Sequence, residues 1–163
     1  GVTTLISDSG VTRYRVNTEE WMMYDRKKPS YWAFEKGVYM EQFDSIFNVE
    51  ASIKADTAYY YDKERLWKLI GNVDIQNRKG ERFNTELLYW NEATQKVYSD
   101  KFIRIQQPDR IITGHGFDSN QQMTIYTIRN IEGIFYVDEE ASSGPPQPET
   151  KALPDSVNKD TAK

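Results

Sequence analysis

Apolar and polar side chains alternate with a period of two in several short runs of this chain. In residues 66–75 the odd positions are apolar except at Gly71, and they hold Trp67, Leu69, Val73 and Ile75. Successive side chains of a β-strand point to opposite faces, so this run predicts a strand that buries one face. Helical spacing is rare. The chain is therefore restricted to a fold made mainly of half-buried strands.

Two further runs show the same alternation. In residues 82–89 the odd positions Phe83, Leu87 and Tyr89 alternate with the polar Arg82, Asn84 and Glu86, and in residues 103–106 Ile103 and Ile105 alternate with Arg104 and Gln106. Short polar segments of hairpin length separate the runs. Consecutive strands joined in this way predict antiparallel pairing.

An aromatic residue stands directly before Asp or Asn four times, at spacings of 37, 29 and 27 residues. The pairs are Tyr24-Asp25, Tyr61-Asp62, Trp90-Asn91 and Phe117-Asp118. Each pair fits the end of a strand, where the ring closes the core and the Asp or Asn begins a turn. The repeat unit is a strand, a turn and a strand. Such hairpins are stable only when stacked, which predicts an elongated, twisted antiparallel sandwich.

The charge distribution excludes some functions and indicates the domain limits. Residues 138–163 contain three lysines against six acids, net −3, which leaves −1 of the chain's −4 for residues 1–137. A neutral folded part argues against nucleic-acid binding. We expect an N-terminal linker over residues 1–8, one domain over residues 9–137, and a disordered tail over residues 138–163 that is rich in proline and acids.

The sequence shows no motif for catalysis, metal binding or a cofactor. It has no cysteine, and its single imidazole, His115, lies between two glycines. No nucleophile elbow, phosphate-binding glycine loop or zinc spacing is present. We therefore expect a non-enzymatic binding or structural protein without a cofactor.

Two features favour a binding role. Aromatic residues make up 13% of the chain, and their rings could line a groove for an apolar ligand or, at surface positions such as Tyr59 and Tyr61, stack against sugars. An open sandwich also leaves edge strands that can accept a strand from a partner. The expected docking edge contains Ile131, Ile134, Phe135 and Val137.

Five short segments follow one another in order along the chain: Lys54-Ala55-Asp56-Thr57-Ala58, Leu69-Ile70-Gly71-Asn72-Val73-Asp74-Ile75, Asn84-Thr85-Glu86-Leu87-Leu88, Tyr98-Ser99-Asp100 and Ile112-Thr113-Gly114-His115-Gly116-Phe117. In their order and spacing they resemble the LptC family, the membrane-anchored periplasmic component of bacterial lipopolysaccharide export. The resemblance covers residues 9–137 and is strongest in residues 47–117. The ring-rich segment of residues 32–38 is similar to the variant found in Bacteroidetes.

The resemblance implies an open, twisted β-jellyroll that binds lipopolysaccharide and performs no chemistry. The family accepts lipopolysaccharide from the inner-membrane ABC transporter, through LptF and LptG, and passes it to LptA. The resemblance also implies a periplasmic location and a membrane anchor ahead of Gly1. Residues 11–16 would lie near the edge that faces the transporter, and residues 131–137 near the edge that faces LptA. An LptA-like bridge and a glycan-binding or scaffolding sandwich are the alternatives.

The resemblance also implies that lipid A acyl chains lie between the two sheets. The interior positions that we expect to face them are Val38, Met40, Ile53, Trp67, Leu69, Val73, Phe83, Leu87, Tyr89, Ile103 and Ile125. Gly71 is expected at a bulge, and Gly114 and Gly116 match a glycine-containing turn of the family, where a large side chain would clash.

Overall fold

The computed structural model describes residues 1–8 and 12–137, and these residues form strands, turns and bends without a helix. The predicted all-β fold is confirmed. The tail over residues 138–163 lies outside the described residues. The strands are β1 (Val2–Asp8), β2 (Thr12–Thr18), β3 (Met22–Tyr24), β4 (Tyr31–Phe34), β5 (Val38–Phe43), β6 (Val49–Ala55), β7 (Thr57–Tyr61), β8 (Leu66–Asn77), β9 (Arg82–Asn91), β10 (Lys96–Gln107), β11 (Arg110–Asn120) and β12 (Tyr126–Tyr136).

All strand pairs are antiparallel, and they form one open sheet that branches at β8. The main path runs β1-β2-β5-β6-β8-β9-β10-β11-β12, and the branch runs β3-β4-β7-β8. Residues 66–70 of β8 pair with β7, whereas residues 74–77 pair with β6. The branch gives two leaves. The first leaf contains β1, β2, β5 and β6, and the second leaf contains β3, β4 and β7.

The long strands β8 to β11 run through both leaves because each bends near its middle. The pairing register shifts between Ile70 and Val73 in β8 and again between Tyr98 and Ile103 in β10. Gly71 has a φ of 87°, a left-handed conformation that glycine adopts without strain. The bulge expected at Gly71 is therefore present. Bulges bend and twist the strands that contain them, which folds the sheet onto itself.

The core lies between the two leaves. Tyr14 of β2 contacts Trp90 of β9 at 5.1 Å between ring centroids, and Phe83 contacts Phe117 at 5.7 Å. These contacts join side chains from opposite leaves into one buried cluster. The architecture is consistent with the predicted open, twisted β-jellyroll.

Two expectations about chain position were wrong. Residues 1–8 were expected to be a linker, but Val2–Asp8 form β1 and pair with β2 in a regular register. The first edge of the sheet is therefore β1, one strand further out than residues 11–16. Gly114 and Gly116 lie inside β11 rather than in a turn, because the strand bends there and continues to Asn120.

We predict that Gly114→Ala lowers the free energy of unfolding by about 2–3 kcal/mol. A Cβ at this position would meet the backbone oxygen of Asn130 and would lie 2.6 Å from Ile128 Cγ2. β11 and β12 pair on both sides of Gly114, with a register shift between Thr113 and Gly114, so the two backbones are held close together at this position. Urea unfolding measures the change.

The control is Gly80→Ala. A Cβ at Gly80 has no neighbour within 4 Å, but the φ of 81° is unfavourable for alanine. We expect a loss of about 1 kcal/mol from the backbone alone. If Gly114→Ala and Gly80→Ala lowered the free energy of unfolding equally, the steric explanation for Gly114 would be contradicted.

Candidate functional site

The interior between the leaves contains most of the predicted lipid-facing positions. Eight of the eleven are buried: Val38, Met40, Ile53, Trp67, Leu69, Val73, Phe83 and Ile103. They come from β5 and β6 in the first leaf and from the long strands shared by both leaves. Their contact with lipid stays a prediction, whereas their inward orientation follows from the fold.

Leu87 and Tyr89 were predicted on the wrong face. Both are only half-buried and point away from the core, and Leu88 and Trp90 occupy the interior instead. The reason is the bend. β9 passes from one leaf to the other between Thr85 and Leu88, three residues apart, so its inward side changes from odd to even positions.

Ile125 was also predicted inside but is 76% exposed. It belongs to the turn between β11 and β12, where its carbonyl accepts a hydrogen bond from the Asn120 N–H at 3.0 Å. The Asn120 side-chain oxygen accepts bonds from the N–H groups of Thr124 and Ile125. This closed turn directs Met123, which is fully buried, into the core.

Aromatic rings fill the centre of the interior around Trp67, which is 0% exposed. Its ring lies 4.7 Å from Tyr60, 5.4 Å from Phe34 and 6.4 Å from Trp90, measured between centroids. Trp90 in turn contacts Tyr14 across the leaves. The cluster offers a large apolar surface with few polar atoms, which suits contact with hydrocarbon chains.

A buried carboxylate joins the leaves beside this cluster. Glu92 is 6% exposed. It accepts hydrogen bonds from the hydroxyls of Tyr14 and Tyr60, the latter at 2.9 Å, and from Trp67 Nε1 at 3.2 Å. The Arg65 guanidinium lies 3.8 Å away. A buried charge is tolerated when donors surround it. Tyr14 comes from the first leaf and the other donors from the second, so Glu92 links the two.

Glu92 was not among the residues predicted from the sequence. The signal that could have found it is the even-numbered inward series in β9, which holds Leu88 and Trp90 and continues to Glu92 two residues later. An acid in an inward series predicts a buried carboxylate with hydrogen-bond partners. Recognising that series requires knowing that the strand changes parity at the bend.

The interior is closed in this structure. The void between the leaves that is lined by Tyr14, Met40, Ile53 and Trp90 has a volume of about 10 Å³. A void of this size holds about one water molecule. An acyl chain can therefore enter only if the leaves move apart and lose some of their mutual contacts.

Both ends of the strand path expose apolar side chains. On β12, Ile131 is 58% exposed and Ile134 is also exposed, whereas Phe135 and Val137 are half-buried. Within residues 1–8 and 12–137, β12 pairs only with β11, and β1 pairs only with β2. Leu5 of β1 is exposed as well. Each end thus combines an unpaired strand edge with apolar side chains.

The outer face of the second leaf carries a row of tyrosines that we call the tyrosine strip. Its members are Tyr24, Tyr31, Tyr59, Tyr61, Tyr89 and Tyr98, and all are half-buried. Tyr24 stacks on Tyr31 at 4.9 Å, and Tyr89 stacks on Tyr98 at 5.3 Å. Partial burial, together with the hydrogen bond that its hydroxyl donates to Glu35, raises the pKa of Tyr59.

The described residues contain no cluster that could perform metal chemistry. No group of three or more His, Asp or Glu side chains among them is placed to hold a metal ion. His115 lies beside the Glu132 carboxylate on an exposed surface. This part of the chain also holds no candidate membrane-spanning helix.

The comparison with known families agrees with the resemblance noted from the motifs. A family model described as "LptC: Lipopolysaccharide-assembly, LptC-related" matches residues 2–136. The match covers almost every described residue, from β1 to the last residue of β12. No curated protein matches the chain.

We predict that Tyr14→Phe lowers the free energy of unfolding by about 1–3 kcal/mol. The change keeps the ring contact with Trp90 but removes one donor from the buried Glu92 carboxylate. Urea unfolding monitored by tryptophan fluorescence measures the loss.

The matched control is Tyr39→Phe on the neighbouring strand β5. The Tyr39 hydroxyl also points to a carboxylate, that of Glu41 at 3.5 Å, but on an exposed surface. We expect a change within about 0.5 kcal/mol there. Equal effects at the two positions would show that the Glu92 carboxylate does not depend on Tyr14.

Proposed function

The chain belongs to the LptC family of lipopolysaccharide-assembly proteins, and we propose that it is a non-enzymatic carrier. It accepts lipopolysaccharide from the inner-membrane ABC transporter, through LptF and LptG, and passes it to LptA. It works in the periplasm, tethered to the inner membrane. The lipid A acyl chains lie between the two leaves during transfer. The role is therefore binding and release without a chemical step.

The observation that carries this proposal is the apolar interior that both leaves share. Phe34 and Trp67 face it from the second leaf, and Val16 and Met40 face it from the first. The interior continues along β8 to β11, whose inward residues belong to the same cluster. An acyl chain that separates the leaves thus meets hydrocarbon and aromatic surface on both sides.

The closed interior fits a carrier better than a storage protein. Transfer of a CH₂ group from water into this environment is favourable by about 0.8 kcal/mol. An incoming chain must also break contacts between the leaves, including the Tyr14 hydrogen bond to Glu92. The net affinity is therefore smaller than the burial term alone. Lipid can be held and still be released when the leaves close again.

Site-specific photocrosslinking tests the path. A benzophenone side chain is placed at Met40 or Trp90, which point inward, and at their neighbours Tyr39 and Tyr89, which point outward. With the transporter, ATP and lipopolysaccharide present, we expect crosslinks from positions 40 and 90 and background levels from positions 39 and 89. Circular dichroism confirms that each variant is folded.

Crosslinks from Tyr89 without crosslinks from Trp90 would contradict the interior path. They would favour the second candidate, a glycan-binding role for the tyrosine strip. The stacked pairs Tyr24–Tyr31 and Tyr89–Tyr98 support that candidate, since they present rings on an outer face. An absence of crosslinks from every folded variant would favour a scaffolding role.

The two exposed ends support a bridging position between transporter and acceptor. Strand addition at an open edge supplies main-chain hydrogen bonds, and side chains at alternate positions supply specificity. We predict that Ile134→Lys on β12 weakens binding to LptA about tenfold or more, because a charge on an edge strand opposes pairing.

Leu5→Lys on β1 is the matched control, since it introduces the same charge at the opposite edge. We expect it to weaken binding to LptF and LptG and to leave LptA binding unchanged. Pull-down with purified partners measures both. A reversal of the two effects would mean that the chain lies in the opposite direction, and an absence of both effects would contradict edge pairing. If Ile134→Lys and Leu5→Lys both weakened binding to LptA, the result would instead favour an LptA-like bridge.

A further inference from the structure

A large groove lies on the outer face of the sheet, where β8, β9 and β10 bend between the leaves. Its volume is about 1010 Å³. Sites for small ligands usually occupy about 300–1,000 Å³, so the groove is large enough for one lipid-sized molecule. It is separate from the closed interior, because its walls are formed mainly by side chains that point away from the core.

Four apolar residues line the groove: Ile70, Val73, Leu87 and Phe102. Val73 is 0% exposed, so the accessible apolar patch is formed by Ile70, Leu87 and Phe102. Ile70 and Leu87 are direct partners in the β8–β9 register, immediately beside the bulge. Phe102 is 46% exposed and stands edge-on to the His115 ring at 5.6 Å between centroids. The bend directs these residues outward, so an apolar patch lies on a face that is otherwise polar.

Four cations surround this patch: Lys54, Lys68, Lys101 and Arg104. Across residues 1–8 and 12–137, none of them forms a salt bridge, whereas Arg15, Arg82 and Arg129 do. The cations come from three strands, with Lys54 on β6, Lys68 on β8, and Lys101 and Arg104 on β10, and they line one groove. An anionic group would find several donors there without displacing an existing ion pair.

The acids in the groove wall already have partners. Asp74 forms a two-point pair with Arg82, with distances of 2.9 and 2.6 Å. Asp56 accepts a hydrogen bond from the Asn72 side-chain amide at 2.8 Å, and Glu86 accepts one from the Asn72 N–H at 3.3 Å. Their negative charge is therefore partly compensated, and the four cations face the groove.

Arg104 is half-buried and forms no salt bridge with a described acid. It lies in the same cross-strand row as Asn84 and Asp74, but the Asp74 carboxylate is taken by Arg82. Burial, and then the nearby Arg82 guanidinium, lower the pKa of Arg104 from its usual value. A partly desolvated guanidinium without an acid is a site that gains from an incoming anion.

We propose that this groove binds one anionic amphiphile, with its phosphate or carboxylate head at Arg104 and Lys101 and its hydrocarbon tail on Ile70, Leu87 and Phe102. The combination of unpaired cations with a contiguous apolar patch carries the proposal. A free anion would leave the patch uncovered, and a neutral amphiphile would leave the cations without a partner. The site is distinct from the interior path, because Ile70, Leu87 and Phe102 lie outside the buried core cluster; Val73, whose side chain is buried, is common to the two linings.

Dodecyl phosphate below its critical micelle concentration is the probe, and calorimetric titration of the full chain gives its dissociation constant. Inorganic phosphate tests the head alone, and dodecyl maltoside tests the tail with a neutral head. We expect dodecyl phosphate to bind at least tenfold more tightly than either. Arg104→Gln is expected to weaken its binding about tenfold, and Phe102→Ser about fivefold.

Lys96→Gln is the matched control, since Lys96 is an exposed cation on the same strand outside the groove. We expect no change in binding. Tyr14→Phe tests whether the probe binds in the interior. A dissociation constant that changes in Tyr14→Phe but not in Arg104→Gln would place the tail between the leaves and overturn the proposal. Equal binding of inorganic phosphate would show a small-anion site, and equal binding of dodecyl maltoside would show a general detergent surface. Either result overturns the proposal.

Discussion

The bend in the long strands is the constraint on which the rest of the structure depends. β8 pairs with β7 through its first half and with β6 through its second half, and the register shift at Gly71 separates the halves. The Asp56 N–H, which lies between β6 and β7, donates to the Gly71 carbonyl at 2.9 Å. Without this bend the chain would form a flat sheet with no second layer to cover its apolar face. The bend therefore creates the interior, and on the other side of the same strands it creates the outer groove.

The period-two pattern predicted the strands, their antiparallel pairing and most of the interior. It failed where the backbone departs from a regular strand. Leu87 and Tyr89 were assigned to the core because parity was carried across the bend, and alternation alone cannot show a change of leaf. Ile125 was misplaced because the Asn120 side chain shapes its turn. In β1, Leu5 faces outward next to inward-facing Thr4 and Ile6, so the usual apolar alternation is weak at this edge. Each failure comes from local geometry that residue type does not encode.

The interior combines two kinds of cohesion that respond differently to an incoming lipid. Ring contacts around Trp67 are less directional than hydrogen bonds and come mainly from apolar burial and dispersion, which a hydrocarbon chain can also supply. The hydrogen bonds to Glu92 are directional, and an acyl chain cannot replace them. Lipid entry beside Glu92 is therefore more costly than entry along the apolar side chains of β5 and β6. On the proposed interior path, this difference would direct the acyl chains along β5 and β6 and away from Glu92.

The leaves are also not equally free to separate along their length. On the side of β8 to β11 the backbone runs continuously from one leaf to the other, and cross-strand hydrogen bonds hold both halves of each strand. On the opposite side, β2 and β5 share no strand pairing with β3 and β4, and the chain connects them through residues 19–21 and 35–37. When the leaves separate, the sheet therefore bends along β8 to β11, and the gap opens on the side where β2 and β5 lie. Tyr14 lies on β2, on the side that would open, and its hydroxyl donates a hydrogen bond to Glu92 across the leaves. Tyr14 therefore helps to close this side of the interior, through its hydrogen bond to the buried Glu92 carboxylate and its ring contact with Trp90.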